Sequence, residues 1–313
     1  EIYTMELEKT YIYQVYLKGS FSKAAEALFI TQPALSIAIR KVEKEIGAAI
    51  FNRGQRPLTL THVGKIYSSH IKRELLLEQE LKQQLDDLHG LKTGELFIGG
   101  TNYMNAYLLP PYISRFTEKY PNISINMSET SSDQLIDLLK ENKLDFTFSC
   151  DEEVIGSFES FPSFSDTILL AVPETFFLPQ RLLDLALTAS DVTSGRHRAK
   201  DIPAVNFKEF PAFNFILIDA HVNLGARTLK IFEEAGASPR VRIKVPQLVT
   251  AFSLAASGVG AAFISDHLVT GREKGLRFFK LQSPYAQRHY FLRLPPRSYT
   301  PSAVKEFIRL MEP

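Results

Sequence analysis

The chain has 313 residues, a formal net charge of +1, and 45% hydrophobic and 23% charged residues, a composition ordinary for a soluble globular protein of two or three domains. The absence of any run of about 18 apolar residues excludes a membrane-spanning helix. The single cysteine, Cys150, excludes an intramolecular disulfide and points to a reducing compartment. Residues 1–10 are mixed and polar, unlike a secretory leader. Met5 is read as the natural start, with residues 1–4 a remnant ahead of it, and the expected location is cytoplasmic.

Residues 5 to about 62 are rich in helical patterns with short turns. The run from Gly19 to Gly47 spells two helices joined by a tight turn at Phe29-Ile30. Ser22 reads as the cap of the first, whose packing face is Ala24, Ala25 and Leu28. The small alanines admit a close second helix. Thr31 is the N-cap of that second helix, with Pro33 in its first turn, where a missing N–H costs nothing. Leu35, Ala38 or Ile39, Val42 and Ile46 form its buried stripe, and Gly47 ends it. In such motifs the N-terminal part of the second helix meets base edges in the major groove. Thr31, Gln32, Pro33 and Ser36 then face outward. Gln32 suits a bidentate pair with adenine and Ser36 suits either donor or acceptor. Arg40 and Lys41 lie further along, placed for phosphates. Between Thr31 and Arg73 eight basic side chains face two acidic ones, a local charge of +6 within a neutral chain, which favours an anionic partner there.

Two short extended segments then flank Gly54-Gln55-Arg56 and read as a β-wing. Arg53 and Arg56 are candidates for phosphate or minor-groove contact. Thr61 reads as the cap of a long helix, Val63–His89, with Ile66, Tyr67, Ile71, Leu75, Leu77, Leu81, Leu85 and Leu88 near helical spacing and Gly90 as its stop. So long a helix must bury its apolar seam, and a copy of itself is the simplest partner. Packing on its own chain is the alternative.

From Gly94 the pattern alternates between strands (Leu96–Gly99, Ile123–Met127, Phe146–Ser149, Ile168–Val172, Phe215–Asp219 and Ala261–Ile264) and helices (Leu108–Lys119, Ser132–Asn142, Leu224–Glu234, Gln247–Ser257 and Ser302–Met311). Such alternation argues an α/β domain with mostly parallel sheets. Periodicity weakens between Leu187 and Phe207, and Arg196-His-Arg-Ala-Lys200 reads as a solvated loop, with added positive charge beside a cleft as the alternative. Cys150, at a strand end, reads as a buried small hydrophobe rather than a redox sensor. The seven histidines show no metal-ligand spacing, His62 and His89 read as structural or exposed, and no cofactor is indicated.

Residues 5–66 resemble the LysR-type transcriptional regulators. The phrases Gly-Ser-Phe-Ser-Lys-Ala-Ala (19–25), Thr-Gln-Pro-Ala-Leu-Ser (31–36), Phe-Asn-Arg (51–53) and Leu-Thr-His-Val-Gly (60–64) match that family's DNA-binding domain in type and spacing. The long helix and the α/β remainder match its order. Two departures stand out: Ile37, where many members carry a polar or basic residue, and Val63 for a commoner alanine. The expected architecture is therefore an α-helical winged helix-turn-helix (1–62), a linker helix for dimerisation (63–90) and an α/β effector domain (91–313). The resemblance implies that this domain is periplasmic-binding-protein-like, with two Rossmann-like subdomains, I (about 91–162 and 269–313) and II (about 163–268). The chain would cross between them near Pro162–Asp166 and Asp266–Gly271.

Strand ends in such sheets converge on a crevice where ligands sit. Hydroxyls and free N–H groups at helix starts favour a carboxylate, phosphate or sulfate. The candidate effector contacts are Thr101, Asn102, Thr130, Ser131, Ser132, Ser149, His221 and Asn223. Phe263 joins them from Ser257–Asp266, a segment that resembles the family's helix-to-strand turn. Its Gly-x-Gly follows a helix, the reverse of a dinucleotide fingerprint. The expected partners are promoter DNA, a small anionic effector, a second or further copies of the chain up to a tetramer, and RNA polymerase. Two other readings stay open: a constitutive DNA-binding protein without an effector, and an enzyme, for which Cys150 with His221 is the one candidate pair.

Overall fold

The computed structural model describes residues 2–55, 58–88, 94–150 and 158–311. It divides into two compact units, residues 1–85 and 86–313, so the long helix belongs with the N-terminal unit. That unit opens with helices α1 (Ile2–Lys18), α2 (Phe21–Ala27) and α3 (Gln32–Ile46). A two-stranded antiparallel wing follows, β1 (Phe51–Asn52) and β2 (Thr59–Leu60), paired Phe51 to Leu60 and Asn52 to Thr59. Helix α4 (His62–Leu88) completes it. The core is Ile12 and Val15 of α1, Ala24 and Ala25 of α2, Leu35, Ile39 and Val42 of α3, and Ile50, Phe51 and Ile71.

Local chemistry sets these boundaries. Thr31 accepts from the Ala34 N–H at 3.4 Å, Pro33 sits in the first turn of α3, and Gly47 closes the helix in the left-handed conformation. Ser22 is not the cap of α2: Ser20 accepts from the Lys23 N–H, and Ser22 is exposed in the first turn. Ile46 is 38% exposed, so the stripe of α3 ends at Val42. Thr61 starts α4 by accepting from the Gly64 N–H at 2.9 Å while donating to the Ala49 carbonyl. The Gly64 of the Leu-Thr-His-Val-Gly phrase has a steric cause. A Cβ there would lie 2.0 Å from the Ile50 carbonyl oxygen, so only glycine lets α4 start against the base of the wing.

The second unit opens with β3 (Gly94–Gly100), a π-helical turn at Met104–Leu108, α5 (Pro110–Lys119), β4 (Ile123–Glu129), α6 (Ser132–Lys140) and β5 (Thr147–Ser149). A 14-residue strand, β6 (Ser160–Pro173), follows. Then come α7 (Gln180–Leu183), α8 (Ala189–Thr193), β7 (Asn214–Ile218), α9 (Asn223–Glu234), β8 (Arg240–Val245), α10 (Leu248–Ala256), β9 (Ala261–Ser265), β10 (Leu276–Lys280), β11 (Gln287–Arg293) and α11 (Ser302–Met311).

β3 and β4 pair in parallel, as do β7 with β8 and β9. The long strand β6, however, is antiparallel to β9, β10 and β11, and β11 is antiparallel to β5. The expectation of mostly parallel sheets is therefore corrected. β6 is a spine whose first half pairs with β11 and whose second half lies between β9 and β10. Strands β8, β10 and β11 had no counterpart in the sequence reading. The return crossing also moves. β10 still pairs with the Leu169–Pro173 half of β6, so the chain comes back at β11, not at Asp266–Gly271.

The segment 187–207 is ordered by the sheet. Leu187 and Val205 bridge to Phe278 and Leu281, and a 3-10 turn at Arg196–Arg198 carries a buried His197. His197 Nε2 lies 2.8 Å from Asp266 Oδ2, and Arg198 donates to the same oxygen at 3.1 and 2.7 Å. The solvated-loop reading is replaced by a clamp on the turn after β9.

Candidate functional site

The first candidate site is the outward face of α3. Gln32, Pro33 and Arg40 are exposed there. Ser36 is half-buried and its Oγ accepts from Arg53 at 3.2 Å, which leaves its own O–H free to donate. Arg53, at the wing, is held within the unit: it pairs with Glu43 of α3 at 2.7 Å and lies 5.2 Å over the Phe21 ring. Glu43 also accepts from the backbone N–H groups of Ile50 and Phe51. The Glu43–Arg53 pair therefore pins the wing to α3. Lys41 pairs with Glu8 of α1 at 3.2 Å, so its charge is partly compensated. Arg56 lies outside the described residues. Phe29, in the turn before α3, is 96% exposed with φ near +55°, a conformation non-glycine residues adopt only at a cost of about 1–2 kcal/mol.

The second candidate site is a cavity of about 350 Å³ in the second unit. It lies where four turns converge: that after β3, that between β4 and α6, and those that start α9 and α10. Eight expected contacts, Thr101, Asn102, Thr130, Ser131, Ser132, Ser149, His221 and Asn223, line it. Phe263 does not. It is 2% exposed and packs among Phe207, Phe215 and Phe232 in the core, because β9 is a central strand buried on both faces.

Two helices begin at this cavity. Their N-caps, Val222 before α9 and Gln247 before α10, make no side-chain capping bond, and the positive end of each helix dipole is directed at the cavity. Gly225 brings α9 onto the end of β7; a Cβ there would lie 2.2 Å from the Asp219 carbonyl oxygen. Ser131 by contrast is committed to capping α6 through the Gln134 N–H.

The sequence reading missed the floor of the cavity, where Tyr103, Cys150, Arg288 and Tyr290 are buried. Arg288 forks onto Asp166, with Nε donating to Oδ1 at 2.8 Å and Nη2 to Oδ2. Asp166 also accepts from Ser265 at 2.6 Å and from the Tyr103 hydroxyl at 3.2 Å. Burial alone would lower the Arg288 pKa, but the Asp166 carboxylate holds it well above the usual guanidinium value. Burial pushes the Tyr103 and Tyr290 hydroxyls well above the phenol range, so both stay neutral. Arg288 belongs to β11, which the sequence reading left unassigned, although Tyr290, Leu292 and Leu294 alternate as a strand does. Glu129 was missed as well. It lines the cavity and accepts from the Asn102 and Asn105 amides.

Among the described residues no group of three or more His, Cys, Asp or Glu side chains is arranged to hold a metal ion, and no helix is long and apolar enough to cross a membrane.

Comparison with known proteins places both sites in one family. Residues 10–65 match the model for the bacterial regulatory helix-turn-helix protein of the lysR family, and residues 89–313 match the LysR substrate binding domain. The chain is 32% identical over 171 residues to a probable RuBisCO transcriptional regulator of Cyanidioschyzon merolae, an alignment covering 53% of this chain and 56% of that protein. It is 26% identical over 303 residues to the uncharacterized HTH-type transcriptional regulator YcgK of Bacillus subtilis, covering 96% and 92%. Among solved structures, full-length CbnR complexed with its target DNA superposes with a TM-score of 0.61 at 16% identity over 97% of both chains. The chain belongs to the LysR family, whose members are DNA-binding transcriptional regulators with a substrate-binding effector domain, and not enzymes.

Proposed function

We propose that the chain reads promoter DNA with the outward face of α3 and answers to a small anion held in the 350 Å³ cavity. The cavity carries this reading: the N-termini of α9 and α10, neither with a side-chain cap, meet there beside His221 and Gln247, and helix N-termini suit a carboxylate or phosphate. Glu129 and Asp133, on the β4–α6 side of the same cavity, favour a ligand that also carries a hydroxyl or amine. In this reading Ser22, Thr31, Gln32, Pro33 and Ser36 approach the bases, and Arg40, Lys41, Arg53 and Arg56 serve the phosphates, Arg53 mainly by positioning the wing.

Oligomerisation through α4 is part of the proposal. Ile66, Leu77, Leu81, Leu85 and Leu88 are each at least half exposed on it, and a seam of that kind needs a partner helix. Ligand-driven closure of the cleft would then alter the spacing of paired DNA-binding modules, acting in the cytoplasm on access or recruitment of RNA polymerase. A thermal-shift series with small carboxylates and phosphates tests the effector site. A true ligand at a hundred times its Kd should stabilise the chain by about 2.7 kcal/mol and change its affinity for DNA. No shift with any anion, with DNA binding unaltered, would favour a constitutive DNA-binding protein.

A further inference from the structure

Ile37 is the outlier on α3. It is 67% exposed, although the rest of the helix sorts its apolar residues inward. At 100° per residue it points about 160–200° away from the buried Leu35 and Ile39, so no repacking within the unit covers it. Pro33, one turn earlier on the same face, is also exposed. Arg40 and Lys44, one and two turns later, are exposed and carry no ion pair among the described residues. The face therefore holds a small apolar patch near its N-terminal end, backed by unpaired cations.

That combination selects its occupant. Duplex DNA supplies the anion for Arg40 and Lys44, and the only apolar group that base edges present in the major groove is the 5-methyl of thymine. The neighbouring Ser36 fits the same base. With Arg53 donating to its oxygen, its O–H is still there to donate, and thymine presents the O4 acceptor on the edge that bears the methyl. We propose that Ile37 is a specificity-determining residue that contacts the 5-methyl group of a thymine in the major groove. The proposal rests on the reading of α3 as the DNA-contacting helix.

The test starts from duplexes selected out of a random-sequence pool by the full chain. Each thymine of a selected duplex is then replaced by deoxyuridine, which removes only the methyl, and Kd is measured by fluorescence anisotropy for wild type and Ile37→Ala. At one thymine per half-site the replacement should weaken wild-type binding about fourfold, the effect of one buried methyl group. It should leave the Ile37→Ala protein unchanged, because the two deletions remove the same contact. Indifference of wild type to every replacement, or equal losses in both proteins, would overturn the proposal. Failure to enrich any sequence would overturn the reading of α3 on which it rests.

Discussion

Arg53 has the chemistry of a phosphate contact, yet in the folded unit its guanidinium is spent on Glu43, Ser36 and the Phe21 ring. A residue's type gives its possible partners, and the fold decides which of them it meets first. Asp266 makes the same point and gives a measurable consequence. Burial pushes its carboxyl up, but donors from His197 and Arg198 overcome this and hold it at about 2. A depressed carboxylate stabilises the fold above its unfolded-state value and loses that contribution as pH falls through the folded value. The stabilisation, about 2 kcal/mol for a shift of this size, should thus be present above pH ~4 and vanish toward pH ~2. Urea unfolding from pH 6 to pH 2 checks this. Asp266→Asn should be less stable than wild type at pH 6 and converge with it in acid; parallel curves would contradict the assignment.

Among elements, β6 is the organising one. It pairs with β11 over its first half and with β9 and β10 over its second, so both halves of the effector unit hang on one strand. The buried Arg288–Asp166 fork joins β11 to β6 at this crossing, and Ser265 at the end of β9 and Tyr103 after β3 close around it. Removing one partner of such a pair leaves an uncompensated buried charge and costs roughly 3–5 kcal/mol, whereas removing both is often far milder. Arg288→Met should therefore destabilise the unit by that amount in chemical denaturation. Arg288→Met with Asp166→Asn should recover a large part of the loss. Equal destabilisation of both variants would mean that packing, not charge, decides at this position.

At the level of the whole molecule, legibility followed the range of the interactions. The helix-turn-helix was readable because caps and breakers such as Thr31, Pro33 and Gly47 act within a few residues. The errors there are small: Ser22 for Ser20 is a choice between two capping residues two positions apart, and Ile46, placed in the buried stripe, is 38% exposed at the end of α3. The cleft was half readable. Polar residues that end strands and start helices, such as Thr101 and Asn223, announce a crevice, but its floor is built by β11, about 120 residues after β6. The alternation of Tyr290, Leu292 and Leu294 puts Arg288 on their face, but no local pattern names its partner, which is set by an antiparallel pairing across that separation. Phe263 fails for the complementary reason, because a residue on a central strand faces the core however close its neighbours lie to the cleft.

Gln32, exposed on the first turn of α3, is the side chain best placed to read a base. Anisotropy titrations of wild type and Gln32→Ala, each on a selected duplex and on a scrambled one at fixed salt, weigh its role. Wild type should prefer the selected duplex, and Gln32→Ala should lose about tenfold or more on it with scrambled binding unchanged, since the phosphate-contacting cations remain. Equal affinities of wild type for both duplexes, or an equal loss on both by the variant, would contradict that role.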